Sequence, residues 1–265
     1  MNPVVNIAIR AARAAGNIIV RALDQIDTLK IDLKGANDFV TDIDRRAEQE
    51  IIQILRRSYP GHAILGEETG GSGDSSTVWI IDPLDGTTNF LHGFPQFAVS
   101  IAMRHNGRLE HAVVYDPLRQ ELFVASRGEG ARLNDHRMRV TNSRGLEGAL
   151  IGTGFPFRHQ QFLEDYLNCF RALSKQVADM RRPGSAALDL AYVAAGRLDG
   201  FWELGLAEWD MAGGALLILE SGGRVGDFSG GDNYLSTGNI IAGNPKVFAG
   251  IIQTIQPYLP DTLRQ

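Results

Sequence analysis

Three apolar runs joined by tight turns constrain this chain more than any other feature of its sequence. From Phe97 to Arg104, Phe97, Val99, Ile101 and Met103 alternate with smaller or polar residues. Asn106-Gly107 follows, and that dipeptide supplies the positive φ angles a two-residue hairpin needs. Leu109 to Tyr115 runs back, Asp116-Pro117 turns the chain again, and Glu121 to Ala125 completes an antiparallel meander. A period of two residues puts one face of each strand inward, so this part of the chain must lay a sheet against something else.

Helices are available to cover it. Asn2 is placed as an N-cap with Pro3 at the first helical position, and Val4, Ala8, Ala11, Ala15, Ile18 and Ala22 share one face. A face so rich in alanine predicts close contact with another helix. A second helix is predicted from Asp42 to Tyr59, with Ile43, Ala47, Ile51, Ile54 and Leu55 inward and Pro60-Gly61 ending it. Val78 to Ile81 reads as a short buried strand. From about residue 146 the pattern alternates strand and helix. A strand at Ala149–Ile151 precedes a helix from Gln161 to Val177. A helix from Ser185 to Ala195 stops at Gly196, and Leu198–Glu203 is extended. A helix from Asp210 to Ser221 is closed by Gly222-Gly223. A strand at Ile240–Ala242 leads to a helix capped by Asn244-Pro245 that ends near Ile255. No linker separates residues 1–145 from 146–265, so two halves of a layered α+β or α/β class are expected to pack as one unit of 265 residues.

Composition excludes several classes. Apolar residues make up 44% of the chain and the net charge is −5, which argues against disorder and against a general nucleic-acid binder. One cysteine, Cys169, permits neither an internal disulfide nor a thiolate zinc site, and its helix-like setting reads as core packing. The longest purely apolar stretch, Met211 to Leu219, is too short to cross a membrane. Arg10 and Arg13 interrupt any signal-peptide core near the N-terminus, so a cytoplasmic location is expected.

The chemistry concentrates in acids. Trp79-Ile80-Ile81-Asp82-Pro83-Leu84-Asp85-Gly86-Thr87-Thr88-Asn89-Phe90 is a buried strand that ends in two aspartates three residues apart. Pro83 is expected to fix a turn that aims both carboxylates to one side, with the Leu84 carbonyl between them. Hard divalent cations take such oxygen ligands and keep positions for water and phosphate. Gly86-Thr87-Thr88 then opens a short helix whose N–H groups suit a phosphate. Glu67-Glu68, at the end of Ala63–Gly66, is within reach of the same cluster. Asp210 reads first as the N-cap of its helix, and Thr41 with Asp44 matches a capping box.

These segments, with Trp209-Asp210-Met211-Ala212-Gly213-Gly214, resemble the inositol monophosphatase family. The resemblance covers nearly the whole chain, including Asn37–Asp44 and Asn239–Pro245. Arg181 to Arg197 is most similar to its bacterial SuhB-type members. It implies a five-layer αβαβα sugar-phosphatase fold, a homodimer, and hydrolysis of inositol-1-phosphate by water with two or three Mg²⁺ and inhibition by lithium. Carried over, Glu67, Asp82, the Leu84 carbonyl, Asp85 and Asp210 are metal ligands, with Glu68 standing behind them. Glu67, Thr87 and Asp44 serve the attacking water. Asp85, Gly86, Thr87, Ala186, Glu203 and Asp210 meet the substrate. One departure stands out: Lys34 and Asp38 are closer by one residue than in animal members.

Two competing readings follow. The same metal residues serve relatives that act on fructose-1,6-bisphosphate, 3′-phosphoadenosine 5′-phosphate or histidinol phosphate. The resemblance to SuhB-type members also implies transcription antitermination with NusA and RNA polymerase. Arg127, Arg132, Arg137, Arg139 and Arg144 form a locally basic stretch opposed only by Glu129 and Asp135. Such runs are usually solvated faces.

Overall fold

The structure is a computed structural model that describes residues 2–24, 31–35 and 38–264, with side chains described outside 25–40. Helix α1 spans Pro3–Leu23, and Asn2 caps it by accepting the Val4 N–H at 2.9 Å. Strands β1 (Ile31–Gly35) and β2 (Asp38–Thr41) form an antiparallel pair that the sequence reading did not foresee. Helix α2 (Asp42–Ser58) starts at the Thr41 capping box.

The meander forms as expected and belongs to an eight-stranded sheet. Its members are β3 (Ala63–Gly66), β4 (Gly70–Ser72), β5 (Thr77–Asp85), β6 (Ala98–His105), β7 (Arg108–Asp116), β8 (Glu121–Ser126), β9 (Gly130–Leu133) and β10 (His136–Arg137). The order is β10-β9-β8-β7-β6-β5-β3-β4, with only β3 and β5 parallel. Asn106 and Gly107 both take positive φ in the predicted hairpin. The short helix α3 (Thr87–Leu91) follows β5.

A second sheet holds β11 (Leu150–Thr153), β12 (Asp179–Arg181), β13 (Gly200–Glu203), β14 (Arg224–Gly226) and β15 (Ile240–Gly243), in the order β12-β11-β13-β15-β14. Around it lie α4 (Leu163–Ser174), α5 (Ala186–Ala194), α6 (Glu208–Glu220), the single turn α7 (Tyr234–Thr237) and α8 (Pro245–Ile255). The predicted Gln161–Val177 helix is shorter: a 3₁₀ turn leads into α4, which stops at Ser174.

The period of two decides the layering. Trp79, Ile81, Val99, Ile101 and Val113 pack against α1 and α2, while Ile80, Ala98, Ala102, Ala112 and Val114 face α5 and α6. On the second sheet Phe201, Ile240 and Ala242 face the same α5–α6 layer, and Trp202 and Ile241 face α4 and α8. This is the five-layer αβαβα arrangement. The sequence reading buried one face of β6; both are buried, because small residues on the alternate face admit a helix layer. Helix α1 is apolar and long enough to cross a membrane by those criteria alone. Its buried face, centred on Val5, Ala12 and Ile19 with Val4 and Ile18 at the margin, is covered by α2 and the first sheet. Cys169 is buried among α4 and α8 residues, as expected, and burial pushes its thiol up to about 12.

The central helices touch through glycine. A methyl on Gly214 of α6 would stand 2.3 Å from Leu190 Cβ of α5, and one on Gly213 would stand 2.7 Å from Ser100 Oγ of β6. Gly214→Ala tests this layer. Alanine favours a helix by about 1 kcal/mol over glycine, whereas overpacking a rigid core costs about 1–3 kcal/mol. Leu190 Cβ sits next to backbone and cannot swing away, so overpacking wins. The expected result is a melting temperature lower by several degrees, read by calorimetry; an increase would show that the helices separate freely.

Candidate metal and phosphate site

Both sheets and the central helices converge on one cleft of about 580 Å³. Glu67, Asp82, Leu84, Asp85, Gly86, Thr87, Ala186, Glu203 and Asp210 all line it. Asp44 reaches it from behind through Thr87.

A bulge gathers the two aspartates of β5. In a regular strand, residues three apart point to opposite faces. Here Asp82 pairs with Ser100 and Asp85 with Ala98, so three steps on β5 match two on β6. One extra residue restores parity and aims both carboxylates to one side. Pro83 has no N–H to lose from the ladder, which suits it to this place. The expected turn is therefore a bulge inside a continuing strand. One carboxylate oxygen from each of Asp82, Asp85 and Asp210 lies within 4.8 Å of the others.

Each acid is steered by one oxygen. Asp82 Oδ1 accepts the Leu84 N–H at 3.0 Å. Asp85 Oδ2 accepts the Ser185 hydroxyl at 2.5 Å and the Ala187 N–H at 2.7 Å, at the start of α5. Asp210 Oδ2 accepts the Ala207 N–H at 2.7 Å and faces Arg158 at 3.5 Å. Asp210 thus sits at the third position of α6 and steadies its N-terminus while also facing the cleft; the sequence reading had posed capping and site as alternatives. Asp44 is likewise both. Its Oδ2 accepts the Thr41 N–H and hydroxyl at 2.8 and 2.6 Å, and its Oδ1 lies 2.9 Å from the Thr87 hydroxyl. That hydroxyl is also 3.0 Å from the Leu84 carbonyl oxygen. Gly86 turns with φ 92°, and a side chain there would strike the Gln96 carbonyl at 2.9 Å.

Crowding shows in the acidities. Burial, then Glu67, Asp85 and Asp210, hold Asp82 well above the usual carboxylate range. Burial raises Asp85 to about 6, against the Ser185 and Ala187 hydrogen bonds that lower it. Burial and then Asp210 push Glu203 up to about 8, while Arg182 and Arg158 pull it down. Asp44 is raised by burial. Closely set, buried acids whose ionisation is opposed in this way have the donor set of a hard divalent ion.

Sequence reasoning missed several residues. Ser185 orients Asp85, and its only signal was its place at the start of a predicted helix, where the structure makes it the N-cap of α5. Asp189 of α5 is buried in the cleft wall with Oδ1 unpartnered, and burial and Glu203 raise it well above the usual range. Arg158 and Arg182 line the rim, Arg182 lying 5.3 Å over the Phe155 ring. Ala36 and Asn37, and the side chains of Lys34 and Asp38, lie outside the described residues.

The inositol monophosphatase family model matches residues 1–259. The chain is 58% identical to Nus factor SuhB of Pseudomonas aeruginosa, over the full length of both. The solved extragenic suppressor protein SuhB from Bartonella henselae aligns with a TM-score of 0.94 at 45% identity, over 96% of this chain and 99% of that one. An inositol monophosphatase from Anabaena aligns with a TM-score of 0.87 at 35% identity, over 97% of each chain.

Glu203 gives a pH signature. Its carboxyl is raised from 4.5 to about 8 on folding, so between those values the native state binds more protons than the unfolded chain. Its contribution to stability is therefore most favourable below about pH 4.5 and declines as pH rises toward about 8. Glu203→Gln keeps the shape without the ionisation. Thermal melts in EDTA should show the variant gaining on the parent between about pH 5 and about pH 8; a constant or shrinking difference would contradict the assignment.

Proposed function

The chain belongs to the inositol monophosphatase family, and on that premise we propose that it hydrolyses the phosphate monoester of a polyol, inositol-1-phosphate foremost, with Mg²⁺. The observation that carries the reading is the set of three aspartates with ligand oxygens within 4.8 Å, placed beside a neutral cleft floor of Gly86 and Thr87. Phosphatase chemistry is general to the family; the substrate and the ion are this proposal's own.

Glu67, Asp82, the Leu84 carbonyl, Asp85 and Asp210 would hold two or three Mg²⁺. When bound, the ions supply positive charge to the phosphoryl oxygens and the leaving alkoxide, and they acidify water. The chain's own part is orientation. Asp44 carries only acceptors when ionised, so the single Thr87 proton points to it or to the Leu84 carbonyl. The Thr87 oxygen is then left to accept a proton from water. Glu67 lines the same cleft and would hold that water as well. The Gly86 and Thr87 N–H groups receive phosphate, and Ala186, Glu203, Asp85 and Asp210 meet the polyol. Neighbouring divalent cations favour the ionised form of Glu203. Its anion accepts hydroxyl protons and disfavours a second phosphate.

Phosphate release from a panel of esters, with and without Mg²⁺, tests the reading. Activity should require the ion and be greatest for a polyol monophosphate. Full activity in excess EDTA would refute it, and preference for a bisphosphate would move the substrate to a neighbouring family member. Asp82→Asn or Asp85→Asn should lower kcat by roughly 10²–10⁴, the scale of a major electrostatic contribution. Thr87→Ala should cut kcat while calorimetric Mg²⁺ affinity stays close to the parent's. Glu203→Ala should cost about 1–2 kcal/mol in kcat/KM for inositol-1-phosphate and little for p-nitrophenyl phosphate. Equal losses on both would assign Glu203 to the fold or the metal site.

A second reading has its own support. End-to-end similarity to Nus factor SuhB favours an added role with NusA and RNA polymerase. The middle of the basic stretch lies on the edge of the first sheet, where Arg132 of β9 pairs in register with Arg137 of β10. Pull-down of NusA by the parent and by Asp82→Asn separates this role from catalysis. A complex formed by both would make it independent of turnover, and none by either would remove it.

A further inference from the structure

Helix α2 carries two buried acids one turn apart, Asp44 and Glu48. Asp44 faces Thr87. Glu48 has no place in the mechanism above, yet it is 0% exposed. Isolated buried carboxylates are costly unless their oxygens are satisfied. Those of Glu48 are satisfied by two consecutive backbone groups: Oε2 accepts the Glu68 N–H at 2.9 Å and Oε1 accepts the Thr69 N–H at 2.8 Å. The fit is tight. A methyl on Gly66, the last residue of β3, would lie 2.5 Å from Glu48 Oε2.

Glu67 lies between these anchors. Its own N–H donates to the Ile81 carbonyl of β5 at 3.1 Å, and the next two N–H groups belong to Glu48. We propose that Glu48 is a positioning residue that holds the Glu67 loop in place for the cation, clamping Glu67 from its C-terminal side as β5 does from its N-terminal side. The reason is electrostatic. Glu67 must point toward Asp82 and Asp85, whose charges both oppose its own, and only a hydrogen bond to Asp82, which needs a proton on one of the two, draws it in. An unanchored loop would swing such a side chain out to water. A rigid helix with acids at i and i+4 sets the spacing between the Thr87 loop and the Glu67 loop before any ion arrives. Partners of metal ligands typically contribute about 10–100-fold in metal affinity. The inference rests on the metal-dependent reading of the site.

Two variants approach the clamp from opposite sides. Glu48→Gln keeps the size but replaces one acceptor with an NH₂ facing an N–H. Gly66→Ala leaves Glu48 intact and pushes it off the two amides. Mn²⁺ binding by calorimetry without substrate, thermal melts in EDTA, and phosphate release against Mg²⁺ concentration form the test. Both variants should melt cooperatively, bind Mn²⁺ about tenfold or more weakly, and need correspondingly more Mg²⁺ for half-maximal rate, with excess Mg²⁺ recovering most of it. If the parent itself binds no Mn²⁺, the metal-dependent reading fails and takes this inference with it. If the parent binds and both variants bind equally well, the clamp alone is refuted. A lower melting temperature with unaltered affinity would make Glu48 a structural residue only. If Glu48→Gln does not fold, Gly66→Ala decides.

Discussion

Mutual repulsion among three aspartates is the constraint on which the rest of this structure depends. Unit charges 4.8 Å apart repel by roughly 3 kcal/mol at an effective dielectric of about 20, and these are buried. Hydrogen bonding has to overcome that. The fold does it by committing one oxygen of each to hydrogen bonds: the Leu84 N–H for Asp82, Ser185 and the Ala187 N–H for Asp85, the Ala207 N–H for Asp210. One oxygen of each carboxylate still lies within 4.8 Å of the other two.

The three acids, and the two donors to Asp85, come from elements far apart in the chain, and the layering brings them together. Helices α5 and α6 lie between the two sheets, so their first turns reach the end of β5 where the bulge sits. Close approach requires Gly213 and Gly214. It also requires the alternate residues of β6 to be small, as Ala98, Ser100 and Ala102 are. The same strand period that separates the two core faces delivers the aspartates to a single face, once Pro83 and Leu84 add the odd residue. Packing and site are thus two consequences of one sheet.

Much of the candidate site was legible because its signals are local. A continuous apolar strand ending in two acids, a glycine and two threonines has few uses. The meander and the caps of α1, α2 and α8 were legible for the same reason: turn and cap chemistry is written within three or four residues. Asp44 and Asp210 were legible only as caps until the resemblance added a second role, and the structure shows that one carboxylate can hold a helix end and face a cleft together. Glu48 was not legible at all. In a helix pattern it is an ordinary charged residue. Only the Glu68 and Thr69 amides, some twenty residues on, give it partners. Asp189, Arg158 and Arg182 share that fate, since their meaning depends on which wall of the cleft they meet.

By itself, then, the sequence determined the class of the fold, the strand that carries the acids and the kind of ion that would suit them. These follow from periodicity, turn residues and ligand chemistry, all short-range in the chain. Tertiary structure decided parity, charge state and company. Whether residues three apart face the same way depends on a bulge measured against β6. Whether Glu203 holds its proton to about pH 8 depends on burial beside Asp210 and on Arg182. Which helix reaches the Glu68 and Thr69 amides depends on α2 packing against β5. Each is a property of distances between residues remote in sequence, and those distances exist only once the layers have packed.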